Sequence, residues 1–202
     1  IFINEVCAVP VPQRRGDPIL VSRDEEPDSV DIERIPTLRP AFVKGEGGTV
    51  TAANASSLND GACAMVLMSE AEALEKKLTP LARVLGYGDA AQDPVDFTTS
   101  PSLAIPVALE NAGLKLSDVE YHEINEAFSV VALANMRLLN LDPTKVNVFG
   151  GAVALGHPIG MSGARIIGTL LTVLQAKDAT IGCASICNGG GGASAIIIER
   201  LS

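Results

Sequence analysis

An α/β fold in packed layers is what this sequence predicts, and three observations carry the prediction. From residue 80 onward, short apolar runs of strand length alternate with longer stretches at helical spacing, the pattern of helices laid on a sheet. Nineteen glycines, together with many other small residues, suit closely packed helix–sheet layers better than a solenoid or a coiled coil. The 202 residues are 47% hydrophobic but include no Trp, two Tyr and five Phe, so the core must be built from Ala, Val, Leu and Ile.

The elements follow in order. "VPVPQRRGDPILVSRDEEPDSVDIERIPTLRP" is rich in proline and charge, and reads as a loop-rich excursion over a surface with strand-like pieces such as Ile19–Val21. From "GGTVTAANAS" the texture changes. Thr49–Ala52 predicts a strand, and "GACAMVLMS" over 61–69 another, apolar throughout and therefore buried on both faces. Ser69 then caps a charged helix over Ser69–Leu78, with Glu72 three residues on and Pro80 as its stop. Leu81–Tyr87 reads as a strand, Pro101–Ala112 as an amphipathic helix stopped at Gly113, and Val119–Ile124 as a loosely alternating strand. Asn125 is placed as the cap of a helix with Phe128, Val131, Ala132, Asn135, Leu138 and Leu139 on one face. A strand at Val146–Phe149, a helix at Ser162–Ala176 and strands at Ile181–Ile186 and Ala193–Glu199 complete the order. "DGACAMVLMSE" (60–70) echoes "GGASAIIIER" (191–200), which predicts two similar halves, each ending in such a strand.

Charge and cysteine usage narrow the function classes. A net charge of −9 argues against non-specific binding to nucleic acid or an anionic membrane surface. It leaves room for a phosphorylated small ligand held by local cations or a helix N-terminus. No apolar run reaches transmembrane length and no signal peptide is visible. The chain opens mid-pattern at Ile1 without a Met, so its N-terminus is read as cut, and mitochondrial and cytoplasmic locations both stay open. Cys7, Cys63, Cys183 and Cys187 form no CxxC and no disulfide framework, and the two histidines are not at zinc-ligand spacing. Free thiols in a reducing compartment are the simplest reading.

Three stretches sit where a strand gives way to a helix or turn, the place where open α/β sheets put ligands. In "HEINEAF" (122–128), Asn125 is either a plain N-cap or an amide that positions a water or substrate oxygen. His122, between Glu120 and Glu123, reads as a partly exposed strand histidine. "GGAVALGHPIGMSGAR" (150–165) fits neither G-x-G-x-x-G nor the P-loop pattern. It holds His157 between Gly156 and Pro158, as an incidental turn residue or as an aimed general base. In "SICNGGGGAS" (185–194), Cys187 follows a buried strand and precedes glycines whose N–H groups form an anion-binding concavity. Its thiol serves as acid, base or nucleophile if a neighbour such as His157 lowers its pKa. The bland alternative, an inert buried cysteine, fits Cys183 better.

In this order, "NEAF", "GGAVALGHPIGMSGAR" and "CNGGGGASA" resemble the thiolase family, over essentially the whole chain. "TVTAANASSLNDGA" is similar to its biosynthetic, acetoacetyl-CoA branch. The resemblance implies a thiolase-like layered αβαβα fold of two similar halves, with most of the N-terminal half absent from this chain. On that reading 1–56 is the remnant of a loop domain, 57–79 the last strand and helix of the N-terminal half, and 80–202 the C-terminal thiolase domain. The implied activity is the reversible Claisen condensation of two acetyl-CoA to acetoacetyl-CoA and CoA. A degradative 3-ketoacyl-CoA thiolase and a non-catalytic CoA- or lipid-binding relative are the alternatives. The resemblance also assigns roles. His157 matches the histidine that activates the nucleophilic cysteine and contributes to an oxyanion hole. Cys187 matches the second catalytic cysteine, which exchanges protons with substrate. Asn125 matches the asparagine that holds a catalytic water, and Gly189 the glycine whose N–H completes a second oxyanion hole. Ser56 matches a serine on the pantetheine arm, and Arg34 in "RIP" stands where relatives carry a basic CoA contact in "KVP". Carbonyls matching Ala52, Ala53, Ala55 and Val153 line a potassium site in potassium-activated members. No tightly bound cofactor, no nucleic acid and no membrane are implied, and the family suggests a homotetramer, a dimer of dimers. The acyl-accepting cysteine has no match here: Cys63 in "DGACA" stands where relatives carry a small residue, and Cys7 has no matching motif. The 202 residues alone are therefore expected to be inactive.

Overall fold

The computed structural model describes residues 2–201. Its amino-terminal stretch carries little regular structure, as its prolines dictate. The short strands β1 (Val9–Val11) and β2 (Ile19–Val21) pair antiparallel, and a one-turn helix α1 (Glu26–Ser29) follows. The helix α2 (Glu70–Glu75) is capped by Ser69, whose hydroxyl accepts from Glu72 N at 3.2 Å. It ends before the expected Leu78, because Lys77 turns left-handed at φ 54.

From residue 82 the alternating pattern becomes a layered body. It comprises β3 (Ala82–Ala91), α3 (Pro101–Ala112), β4 (Tyr121–Ile124), α4 (Ser129–Leu139), α5 (Ala152–Leu155), α6 (Ser162–Ala176), β5 (Ile181–Cys187) and β6 (Gly192–Arg200). The four-stranded sheet runs β3–β6–β5–β4, with β4 and β5 parallel and the other neighbours antiparallel. Side chains alternate across it, so consecutive residues feed opposite cores. Cys183 and Ile197 point to α3, with Ala104, Ile105 and Ala108; Ala184 and Ile198 point to α6, with Ile166, Leu170 and Leu174. The small residues do what close packing requires. A Cβ on Gly86 or Gly88 would lie 2.6 Å or 2.7 Å from the α3 backbone at Ala108, so only glycine lets α3 settle on β3. A third cluster, Ile124, Val131, Val146 and Cys187, closes the end of the sheet where β4 and β5 stop.

Several expected elements take other forms. Residues 49–52 form no strand, and 61–69 lie exposed without a strand partner among the described residues, with Val66 84% and Leu67 79% exposed. An apolar run becomes a strand only when a ladder receives it, and none does here. The 60–70 half of the internal echo therefore has no counterpart to β6. Val146–Phe149 contributes one parallel bridge, His122 to Val146, instead of a strand. The helix after Asn125 begins at Ser129, and Leu138, assigned to its buried face, is 59% exposed.

Candidate active site

Parallel pairing sends β4 and β5 out of the sheet at the same end. Ile124 pairs with Ser185, and Asn125 N donates to Ser185 O at 2.9 Å, so Asn125 follows the end of β4 while Cys187 ends the neighbouring strand β5. On the other edge of β4, a side chain continues the ladder beyond the Val146 bridge. Asn147, left-handed at φ 48, accepts from Ile124 N at 2.8 Å and donates to Ile124 O at 2.9 Å. It also donates to Glu126 Oε1 at 2.8 Å, while Glu126 Oε2 accepts from Val153 N at 3.2 Å. Asn147 and Glu126 thus hold the β4 end against α5. The sequence reading missed both; the one available signal was Asn, a residue that tolerates the left-handed region, just before a glycine pair.

Asn125 does not cap the helix. Phe128 occupies that position at φ −139, and Asn125, fully buried, directs its Nδ2 to His157 Nε2 at 3.3 Å. His157 is presented by the turn after α5. Gly156 takes φ 94, and a Cβ there would overlap the Asn59 amide, so this corner demands glycine. His157 N then donates to Ser57 O at 2.9 Å, and the ring Nδ1 lies 2.6 Å from Ser162 Oγ. Burial, with the Arg165 charge second, holds the half-buried imidazole below its ordinary pKa.

Cys187 is 6% exposed, and burial pushes its thiol up to about 11. The expectation that His157 lowers it is corrected: the apolar wall of Ile124, Val131 and Val146 penalises the thiolate, and no hydrogen bond among the described residues joins Cys187 to His157. Cys183 is buried in mid-strand with its thiol pushed up to about 12, an inert core position. Beyond Cys187 the glycines form a braced turn. Asn188 N donates to Gly192 O at 2.9 Å, and Asn188 Oδ1 accepts from Gly190 N at 3.0 Å and Gly192 N at 3.3 Å. Gly191, at φ 91, gives its carbonyl to Gln92 N at 3.1 Å and Ser100 Oγ at 2.7 Å, and a Cβ on it would overlap the Gln92 carbonyl. The Gly189 N–H engages no acceptor among the described residues, which leaves it available to an oxyanion.

His122 is the second correction. It is 4% exposed, because β4 is flanked by β5 on one side and the Val146 bridge on the other. Burial, then the Lys145 charge, pulls it down to about 4. Glu123 beside it is 1% exposed and pushed up to about 8 by burial, against the opposing pull of Arg165, with Glu126 and Glu5 adding to the rise. The other expected residues are spread more widely. Ser56 donates through both N and Oγ to Ala127 O, at 3.1 Å and 2.9 Å, which docks it two residues past Asn125. Arg34 lies in an exposed 3-10 turn (Ile32–Thr37), and no side-chain partner engages it among the described residues. Ala52, Ala53 and Ala55 line the turn that bridges to Phe128, and Val153 lies on α5 across Glu126. No group of three His, Cys, Asp or Glu side chains among the described residues is arranged to hold a metal ion.

The chain is similar to known proteins along almost its whole length. The model for "Thiolase, C-terminal domain" matches residues 78–200, and that for "Thiolase, N-terminal domain" matches residues 1–71. The acetyl-CoA acetyltransferase of Schizosaccharomyces pombe is 58% identical over 201 residues, covering 99% of this chain and 50% of that protein. The crystal structure of the Bacillus anthracis acetyl-CoA acetyltransferase superposes with a TM-score of 0.93 at 44% identity, and that of Acat5 thiolase from Ascaris suum in complex with coenzyme A with 0.90 at 48%. Each covers 99% of this chain and 50% of the other. The chain therefore spans about half the length of the relatives it matches.

Proposed function

The chain belongs to the thiolase family, and from that premise we propose that it supplies one half of an acetyl-CoA acetyltransferase, which condenses two acetyl-CoA to acetoacetyl-CoA and CoA. The observation that supports this reading is the Asn125–His157 contact at the end of the sheet where β4 and β5 stop, with Cys187 the last residue of β5. A non-catalytic binding module requires neither the imidazole nor the thiol there.

The chemistry follows from what each group donates or accepts. The acyl-accepting thiol lies outside these residues, in the half of the relatives that the chain does not match. His157 takes its proton, the sulfur attacks the thioester carbonyl, and the CoA thiolate departs. Cys187 is suited to protonate that thiolate, since a thiol held at about 11 stays protonated at neutral pH. Its own thiolate is then a strong base for the methyl proton of the second acetyl-CoA. The enolate so formed attacks the acyl-enzyme, and the nucleophilic sulfur leaves and recovers its proton from His157. Asn125 and His157 stabilise one developing oxyanion and the Gly189 N–H another. Ser56 and Arg34 are assigned to the CoA arm. Oxygen ligands suit a hard cation, so the Ala52, Ala53, Ala55 and Val153 carbonyls are the groups that would hold a potassium ion, which would stiffen the loop beside Phe128.

A chimaera tests the proposal: this chain replaces the matching part of the Schizosaccharomyces pombe relative, and acetoacetyl-CoA formation is followed. The chimaera is expected to turn over, and His157→Ala and Cys187→Ala each to lower kcat by about 10²-fold or more. Cys187→Ser should retain much of the acylation by acetyl-CoA, whose thiolate can leave unprotonated, while losing condensation and its reverse, acylation by acetoacetyl-CoA. Normal condensation in that variant would overturn the role given to Cys187.

A further inference from the structure

We propose that Ser162 is a positioning residue that fixes His157 as the Nδ1–H tautomer and so keeps Nε2 as a bare acceptor towards Asn125. A neutral imidazole carries one N–H, and its partners decide which nitrogen bears it. Ser162 Oγ also has a single hydrogen, and it is donated to the Pro158 carbonyl at 3.1 Å. Only a lone pair then faces His157 Nδ1, and a 2.6 Å contact with a lone pair requires the proton to sit on Nδ1. The opposite side of the ring fits the same state with the Asn125 amide oriented Nδ2 towards the ring, an orientation that leaves Oδ1 without a partner among the described residues. Nε2 lies 3.3 Å from Asn125 Nδ2, and an amide nitrogen only donates. With the amide in that orientation, turning the hydroxyl round would place two donors, Nε2–H and the Asn125 NH₂, face to face.

The site is built to hold this arrangement. Ser162 is 1% exposed and is the first residue of α6, a helix of 15 residues, so its hydroxyl is fixed by a long rigid element and shielded from water. Burial and Arg165 keep the ring neutral, the state in which the tautomer matters. On the reading of His157 as the base, on which this inference rests, the Nε2 lone pair accepts the thiol proton while Nδ1–H stays on Ser162. The S–H bond breaks, an Nε2–H bond forms, and the new N–H points at the oxyanion.

Only two histidines are present, so a chain labelled with ¹⁵N in histidine resolves both rings. Long-range ¹H–¹⁵N correlation at neutral pH is expected to show His157 with Nδ1 at the pyrrole-type and Nε2 at the pyridine-type position. Ser162→Ala should convert His157 to a mixture or to the Nε2–H form, with the His122 pattern unchanged, and Ser162→Thr should restore the original pattern. An Nε2–H ring in the unsubstituted chain, or a Ser162→Ala spectrum identical to it, overturns the proposal. The unsubstituted spectrum decides the tautomer even if Ser162→Ala fails to fold. The readout needs no turnover, so an inactive chimaera and a wrong tautomer are separate results.

Discussion

His122 and Glu123 are adjacent on β4, point to opposite faces of the sheet, and are both buried, so each must stay neutral in the fold. Their pKa values move in opposite directions, His122 from 6.5 to about 4 and Glu123 from 4.5 to about 8. A depressed folded pKa gives stability that is present above 6.5 and lost as the pH falls towards 4. A raised one gives stability that is present below 4.5 and lost as the pH climbs towards 8. Between 4.5 and 6.5 the two slopes oppose one another, so these residues predict a plateau there and a decline on either side. Glu123→Gln removes one ionisation, so it should flatten the alkaline decline and turn the plateau into a His122-driven decline that begins as the pH falls below 6.5. Thermal unfolding across pH 4–8 checks this, and an alkaline decline of equal slope in the variant would refute the assignment to Glu123. Neither burial was legible in the sequence. The flanking glutamates argued for exposure, and only the Val146 bridge and the β5 pairing show that β4 has neighbours on both sides.

Elements with their own punctuation were readable, and elements that depend on a distant partner were not. Pro101–Ala112 and Ser162–Ala176 form as expected because the start and stop lie in the local sequence, with Gly113 left-handed at φ 68 as the clearest stop. β5 and β6 form because each finds the other across a turn. The run at 61–69 is as apolar as either of them, yet no ladder reaches it. Of the site, His157 and Cys187 were legible as residues, whereas Asn147, Glu126 and Ser162 act through hydrogen bonds that no local pattern announces. The glycine turn shows how specific an element's needs are. Gly191 combines φ 91 with a Cβ direction blocked by backbone, while a Cβ on Gly190 would meet only Asn188 Oδ1, at 3.3 Å. Gly191→Ala should therefore destabilise the chain by about 1–3 kcal/mol, and Gly190→Ala by much less. At this chain length that is a Tm lower by roughly 2–4 °C per kcal/mol. Equal Tm values for the two variants would show that the turn is not held by Gly191.

At the scale of the whole molecule, the sheet carries α3 and α6 on its two faces, whereas residues 61–69 lie exposed without a strand partner among the described residues. Leu58, Val66 and Leu67 are 85%, 84% and 79% exposed, an apolar burden that water alone does not favour. These residues fall within the match to "Thiolase, N-terminal domain", while the four-stranded sheet falls within the C-terminal match. We read 57–79 as the closing strand and helix of a second sheet, whose other strands belong to the half of the relatives that this chain does not match. The division at about residue 80 between the two halves is part of that reading. Hydrogen exchange separates the two parts. In the 202-residue chain the amides of 61–69 should exchange within the dead time, while those of β5 and β6 stay protected, because an amide without a ladder partner is bonded only to water. In the chimaera with the Schizosaccharomyces pombe relative, 61–69 should gain protection comparable to β6. The same pair of proteins separates catalysis: the chain alone should show no thiolysis, since Cys7 and Cys63 are exposed and Cys183 is sealed in the core. Protection of 61–69 in the chain alone would show that it supplies its own partner for that strand. Thiolysis by the chain alone would place the nucleophile among its own four cysteines.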